Sequence, residues 1–272
     1  MDIRLIAADL DGTLFDEKKQ ISRRNLEALC RAAARGILFV TATGRIYEAI
    51  PNELKELPGA RFAIVVNGSG IYDREKKELI HREEIPAERA AALCRFMKRY
   101  HSMYDCYQNG KGYVDQYYYD RIDTYCRPEY RPMYRATRSA VKDLEEQILR
   151  KGDVQKLQMF FTDGELRLKA MSELREAFPD MAVTSSVPNN IEVNIRAANK
   201  GNALRILCNH LGIDLSQTMA FGDGGNDITM LRCAGTGVAM ANACREAKEA
   251  ADDVTADNEK DGVAVYLEKH VL

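Results

Sequence analysis

Two carboxylates one residue apart, Asp9 and Asp11, stand in the segment Asp9-Leu10-Asp11-Gly12-Thr13. Held this close, they repel unless a cation lies between them or one carries a proton. Magnesium suits such a pair, because it prefers oxygen ligands and keeps waters that an anion can displace. Gly12 permits a sharp turn at that point. Three further segments gather polar residue types in the same fashion: Thr41-Ala42-Thr43-Gly44-Arg45, Asn67-Gly68-Ser69, and Gly222-Asp223-Gly224-Gly225-Asn226-Asp227. Thr43 precedes a possible helix start, where capping and phosphate binding use the same geometry. Asn67 and Gly68 read as turn formers or substrate contacts, and Arg45 as a salt-bridging residue or a substrate contact.

Each segment follows an apolar run that reads as a strand. Leu5–Ala8, Ile37–Val40, Phe62–Val66 and Thr218–Phe221 are short, apolar and bounded by turn residues. Helical patterns lie between them at 21–34, 45–54 (limited by Pro51), 200–211 and 226–233, with more at 244–250 and 263–270. This alternation predicts an α/β fold, a Rossmann-like parallel sheet with helices on both faces. Ligands of such sheets bind at the carboxyl ends of the strands, where the four polar segments fall. The middle of the chain differs. It reads as helix 87–100, a hairpin around Asn109-Gly110, strand 154–161, helix 165–178 and strands at 182–184 and 191–195. The expected organisation is a catalytic core of residues 1–83 and 190–272 with an inserted α+β domain at 84–189.

Taken in order, these segments carry a resemblance. The chain resembles the haloacid dehalogenase superfamily, and within it the Cof-type, sugar-phosphatase-like branch with a C2-type cap between the second and third core motifs. Asp9–Thr13 looks like motif one, Thr43-Gly44-Arg45 motif two, Lys200-Gly201 motif three, and Gly222–Asp227 motif four. Asp261-Gly262-Val263-Ala264 is also similar to the branch, and the match covers essentially the whole length.

The resemblance implies a magnesium-dependent phosphatase acting on small phosphate monoesters, sugar or cofactor phosphates, through an aspartyl phosphate. It implies that Asp9 is the nucleophile and that Asp11 protonates the leaving alkoxide and then deprotonates water. Mg2+ would be held by the Asp9 and Asp223 carboxylates and the Asp11 main-chain carbonyl. Thr43, Gly44, Lys200 and Asn226 would bind the phosphoryl group, with Lys200 also balancing the charge on Asp9. Asp227 would shape the surroundings of the metal. Dehalogenases and pumping ATPases of the superfamily lack a carboxylate at the place of Asp11, so its presence implies phosphatase or phosphomutase chemistry. An insertion after motif two favours the phosphatase. A phosphomutase, and a non-catalytic binding or regulatory protein on the same fold, stand as alternatives.

Bulk properties exclude other classes. The 272 residues are 46% hydrophobic and 29% charged with a net charge of −2, ordinary for a globular protein and without a basic field for nucleic acid. No apolar run approaches the roughly 18–20 residues that span a bilayer. No secretion signal is evident, and seven scattered cysteines without CxxC spacing suggest reduced thiols in a cytoplasmic protein. A monomer or small homo-oligomer with a small-molecule partner is expected, with neither nucleic acid nor membrane. One stretch stands out. Residues 117–138 interleave Tyr117, Tyr118, Tyr119, Tyr125, Tyr130 and Tyr134 with Arg121, Arg127, Arg131, Arg135 and Arg138. It reads either as a packed tyrosine surface with solvated arginines or as a cationic, aromatic rim.

Overall fold

The computed structural model describes residues 2–126, 128, 131–185 and 189–272. Its chain runs β1 (Leu5–Ala8), α1 (Arg23–Ala34), β2 (Leu38–Ala42), α2 (Asn52–Lys55), β3 (Phe62–Val65), β4 (Gly70–Asp73) and β5 (Glu78–Arg82). The middle adds α3 (Ala87–Met97), β6 (Met103–Gln108), β7 (Lys111–Asp115), α4 (Gln116–Asp120), α5 (Ile122–Tyr125), α6 (Arg131–Thr137), β8 (Arg138–Val141), α7 (Leu144–Lys151), β9 (Lys156–Phe160), α8 (Gly164–Ala177), β10 (Met181–Thr184) and β11 (Asn190–Ile195). The last part returns to alternation: α9 (Lys200–Leu211), β12 (Thr218–Gly222), α10 (Ile228–Cys233), β13 (Thr236–Ala239), α11 (Arg245–Ala250), β14 (Asp253–Val254) and α12 (Gly262–His270).

Two compact units divide these elements. The first comprises residues 1–45, 50–81 and 199–272, and the second 46–49 and 82–198. The first unit's sheet has the order β14-β13-β12-β1-β2-β3-β4-β5. Pairing is parallel from β14 through β3, and β4 returns antiparallel beside β3. Its central strands β1, β2, β3 and β12 are largely apolar and buried, as strands covered on both faces are, while the edge strands β5 and β14 carry polar, exposed residues. Leu5 and Ala7 of β1 share a core with Ala203, Leu204 and Leu207 of α9. On β12, Phe221 meets Tyr266 of α12 edge-on, with ring centroids 5.8 Å apart.

The chain enters at β1, builds outward to β3, and later returns to place β12 on the other side of β1. The order therefore reverses between β1 and β12. A crevice outside the carboxyl ends is the rule at such a point. The loop after β1 begins with Asp9, and the loop after β12 begins with Asp223.

In the second unit six strands run β10-β11-β9-β6-β7-β8, antiparallel except for the β7–β8 pair. Leu157, Met159, Ile191 and Val193 on one face join α3, α7 and α8 in a large apolar core. The β6–β7 hairpin turns on Asn109 and Gly110 at φ 53° and 73°, the pair of left-handed residues that a two-residue hairpin loop demands.

Several local expectations are corrected. The helix expected over 45–54 is interrupted: a single 3-10 turn spans Tyr47–Ala49, and α2 starts only after Pro51. Proline there has no N–H to continue a helix. Helix α7 and the β4–β5 strands were not anticipated. Gln147 and Ile148 are buried in α7, but its eight residues fall short of the roughly 11–18 over which a helical period is read. The tyrosine and arginine stretch is part packed and part exposed: Tyr134 and Arg138 are buried, while Tyr117, Arg121 and Arg135 are exposed. Tyr118 meets Tyr104, Tyr117 and Tyr125 edge-on, each at 5.2 Å. Tyr134 is buried, and the Arg138 guanidinium lies over Tyr107 and Tyr134 while its Nε donates to Asp105 Oδ2 at 3.0 Å. Arg127 and Tyr130 lie outside the described residues.

Candidate active site

Lys200 is the hub of the site. It occupies the first position of α9, where Asn199 caps the helix by accepting from the Asn202 amide at 2.8 Å. Its side chain is fully buried, and Nζ donates to Asp9 Oδ1 at 2.7 Å and to Asp227 Oδ1 at 2.6 Å. Burial alone would push this ammonium down, but Asp227 and Asp9 overcome it and hold it above its usual value. Gly201 makes the placement possible, since a Cβ there would lie 2.3 Å from the Thr229 carbonyl on α10.

Asp9, Asp223 and Asp227 bring one carboxylate oxygen each within 4.8 Å of one another. Burial, followed by Asp227, raises Asp223 to about 7. Asp9 is raised well above its ordinary value by burial, which Lys200 opposes and the neighbouring carboxylates reinforce. Ionised together, three carboxylates facing one ammonium would leave two negative charges without a counter-charge, and a divalent cation fits that deficit. Asp227 is already engaged, because its Oδ2 accepts from the amides of Asp223 and Gly224 at 2.9 and 2.8 Å. It holds the Asp223 loop in place, which leaves Asp9 and Asp223 as the carboxylates open to an ion.

The Asp11 side chain is turned to other partners. Arg45 grips both oxygens, Nε to Oδ2 and Nη2 to Oδ1, each at 2.8 Å, and Lys19 lies 3.0 Å from Oδ1. Burial pushes the Asp11 carboxyl up, but Arg45 and Lys19 outweigh it and hold it below the usual range. Of the two roles weighed for Arg45, the geometry realises the salt bridge.

The other expected residues lie in the same unit. Thr43 is buried, and its Oγ1 accepts the Arg45 amide at 3.2 Å, a local side-chain turn rather than a helix cap, since no helix starts at Arg45. Gly44 must lack a side chain, because a Cβ would lie 2.9 Å from Asn67 Oδ1. That same oxygen accepts from Asn226 Nδ2 at 3.1 Å, so Asn67 ties the loop after β3 to the loop after β12.

Some contributors were not assigned in advance. Thr13 Oγ1 donates to Asp223 Oδ1 at 3.0 Å, linking the first loop to the fourth. Gly12 sits at φ +86°, and a Cβ would lie 2.3 Å from Asp223 Oδ2. Asn242 and Asn258 donate to the carbonyls of Gly12 and Phe15, both at 2.8 Å, and so pin the first loop. Thr13 lay inside the motif and was readable as a polar group beside the carboxylates. The two asparagines sit more than 200 residues away, and no local pattern connects them to Gly12.

Together the switch-point loops and the lysine-centred acidic cluster define an α/β core of the hydrolase class. The chain belongs to the haloacid dehalogenase-like hydrolases, whose family model matches residues 6–267. It is 32% identical to the phosphatase YwpJ of Bacillus subtilis, over 99% of this chain and all of the relative. It is 30% identical to the 5-amino-6-(5-phospho-D-ribitylamino)uracil phosphatase YcsE of the same species, over 100% of this chain and 97% of the relative. Among solved structures, a subclass IIB sugar phosphatase of this superfamily superposes with a TM-score of 0.82 at 28% identity, covering 98% of each chain.

Proposed function

We propose that this chain is a magnesium-dependent phosphatase that hydrolyses small phosphate monoesters, of sugars or of cofactors, in the cytoplasm. The observation that carries the reading is the buried Lys200 ammonium bonded to Asp9 and Asp227, with Asp223 beside them and negative charge in excess. Bound between Asp9 and Asp223, with the Asp11 carbonyl, Mg2+ would neutralise the phosphate so that an anionic nucleophile can approach it.

Lys200 holds Asp9 Oδ1 and leaves Oδ2, which takes no hydrogen bond among the described residues, to attack phosphorus. The ester P–O bond breaks, the phosphoryl group moves to Asp9, and the leaving alkoxide takes a proton from Asp11 in its protonated form, which Arg45 and Lys19 disfavour and which must bind that proton from solvent beforehand. A water then gives its proton back to Asp11 and attacks phosphorus, and the Asp9 acyl phosphate breaks to release inorganic phosphate. The Thr43 hydroxyl, whose oxygen accepts the Arg45 amide, keeps its own proton for a phosphoryl oxygen. Asn226 borders the same loops through Asn67. Selection of the leaving alcohol is assigned to the inserted second unit. YcsE, named as a 5-amino-6-(5-phospho-D-ribitylamino)uracil phosphatase, and the neighbour named as a sugar phosphatase support this substrate class.

The test is release of p-nitrophenolate from p-nitrophenyl phosphate, with Mg2+ in excess or with chelator. Turnover that needs the metal and vanishes in Asp9→Asn supports the reading. Turnover that survives either change rejects it.

A further inference from the structure

Arg45 follows Thr43 and Gly44 but faces another residue, Asp11. Its guanidinium meets the Asp11 carboxylate side-on with two bonds of 2.8 Å, the fork geometry that fixes a carboxylate in plane as well as in position. Phe15 lies under the guanidinium, 5.1 Å from its centre, and braces it. Lys19 supplies a third contact from the tip of the turn over residues 16–20, where the Lys19 amide donates to the Asp16 carbonyl and the Asp16 amide to the Gln20 carbonyl, both at 3.0 Å. Lys19 is held at φ 62°, a left-handed conformation that a lysine rarely adopts. A carboxylate offers about four acceptor sites. Arg45 and Lys19 take two on Oδ1, and Arg45 takes one on Oδ2. One site on Oδ2 is left, in a fixed direction.

We propose that Arg45, with Lys19, is a positioning residue for the second half of the reaction: it holds Asp11 Oδ2 so that its remaining acceptor site receives the proton of the attacking water. In that step water loses a proton to Oδ2 and its oxygen bonds to phosphorus. The bond from phosphorus to the Asp9 carboxylate breaks, and its electron pair returns to Asp9. Arg45 touches neither water nor phosphorus in this scheme. The inference rests on the phosphatase reading, and it adds that the two half-reactions depend differently on one arginine. The first half, with a good leaving group such as nitrophenolate, needs no proton from Asp11. The second always needs a base.

An acid-quench experiment on the full-length protein separates the halves. During steady-state turnover of p-nitrophenyl phosphate with Mg2+, the fraction of protein carrying covalent phosphate is measured for wild type, Arg45→Ala, Arg45→Lys and Lys19→Gly. Glycine suits the left-handed position 19, so the last variant removes the ammonium without straining the turn. Arg45→Ala is expected to lower kcat by roughly ten- to a hundredfold, less than the roughly hundred- to ten-thousandfold that a positioned acid or base contributes, because Asp11 itself remains. Its phosphorylated fraction is expected to rise above that of wild type. Lys19→Gly should move both quantities the same way by less, and Arg45→Lys should recover part of the loss. A lower kcat with an unchanged or smaller phosphorylated fraction in both Arg45→Ala and Lys19→Gly overturns the proposal, as does an unchanged kcat in both. A wild type inert toward the ester in Mg2+ instead overturns the phosphatase reading on which it stands.

Discussion

At the scale of single residues, the site is a charge balance that the protein leaves unfinished. Asp223, raised to about 7 by burial and Asp227, takes up a proton on folding in metal-free protein, since its unfolded value is near 4. A raised carboxyl gives stability below the unfolded value that is lost as pH rises through the folded one. Metal-free protein is therefore expected to lose thermal stability between about pH 4 and 8 through this site. Mg2+ competes with that proton, so the rise in Tm on adding it should be larger at pH 8 than at pH 5. Calorimetry at the two pH values checks this, and an equal or reversed increment argues against an ion at Asp223. Asp9→Asn removes the nucleophile and one of the crowded charges. It should lower kcat at least about a thousandfold, roughly 4 kcal/mol of barrier, while the protein stays folded by circular dichroism.

At the scale of elements, glycines let the loops approach. Gly68 lies at φ +97°, and a Cβ there would come 2.4 Å from the carbonyl of Asn199, the cap of the helix that carries Lys200. Gly68→Ala should strain the loop and push the start of α9, costing about 1–3 kcal/mol in urea denaturation and lowering kcat together with it. Loss of stability with full activity would show that α9 tolerates the shift. The sequence made the chemical ends of the strands legible because each follows an apolar run: Asp9, Thr43 and Asp223, with Lys200 readable only from Lys200-Gly201 at a helix start ahead of the fourth motif. It did not show where Asp11 would turn. That depends on Arg45 and on Lys19 at a turn tip, an arrangement settled by three segments meeting. The loop after β3 was equally hidden. Val66, Asn67 and Gly68 adopt successive left-handed conformations, and a β-branched valine gives no hint of one. The amides of Val66 and Asn67 donate to the carbonyls of Arg45 and Thr43, so the second loop imposes this shape.

At the scale of the whole molecule, the chain builds two units with separate cores. The α/β alternation of the first was readable because apolar strand runs and helical periods recur. The second was readable as an α+β insertion, but its short helices α4–α6 were not, since four to seven residues give no period. The face of its sheet opposite the large apolar core carries two buried ion pairs, Arg138 with Asp105 at 3.0 Å and Lys156 with Glu192 at 2.7 Å. Asp105→Ala leaves Arg138 buried without its carboxylate and should cost about 3–5 kcal/mol. Hydrogen exchange should place the loss of protection on β6–β9 rather than on β1 or β12, and a uniform loss would show that the two cores unfold as one. The account of the molecule as a phosphatase turns on the covalent step at Asp9. Its most direct test is to quench the protein in acid during turnover of p-nitrophenyl phosphate with Mg2+ and map covalent phosphate by mass spectrometry. Phosphate on the tryptic peptide Leu5–Lys18, placed at Asp9 by borohydride reduction, is the predicted result. Turnover with the phosphate on another residue, or with none on the protein at any time point, would contradict it.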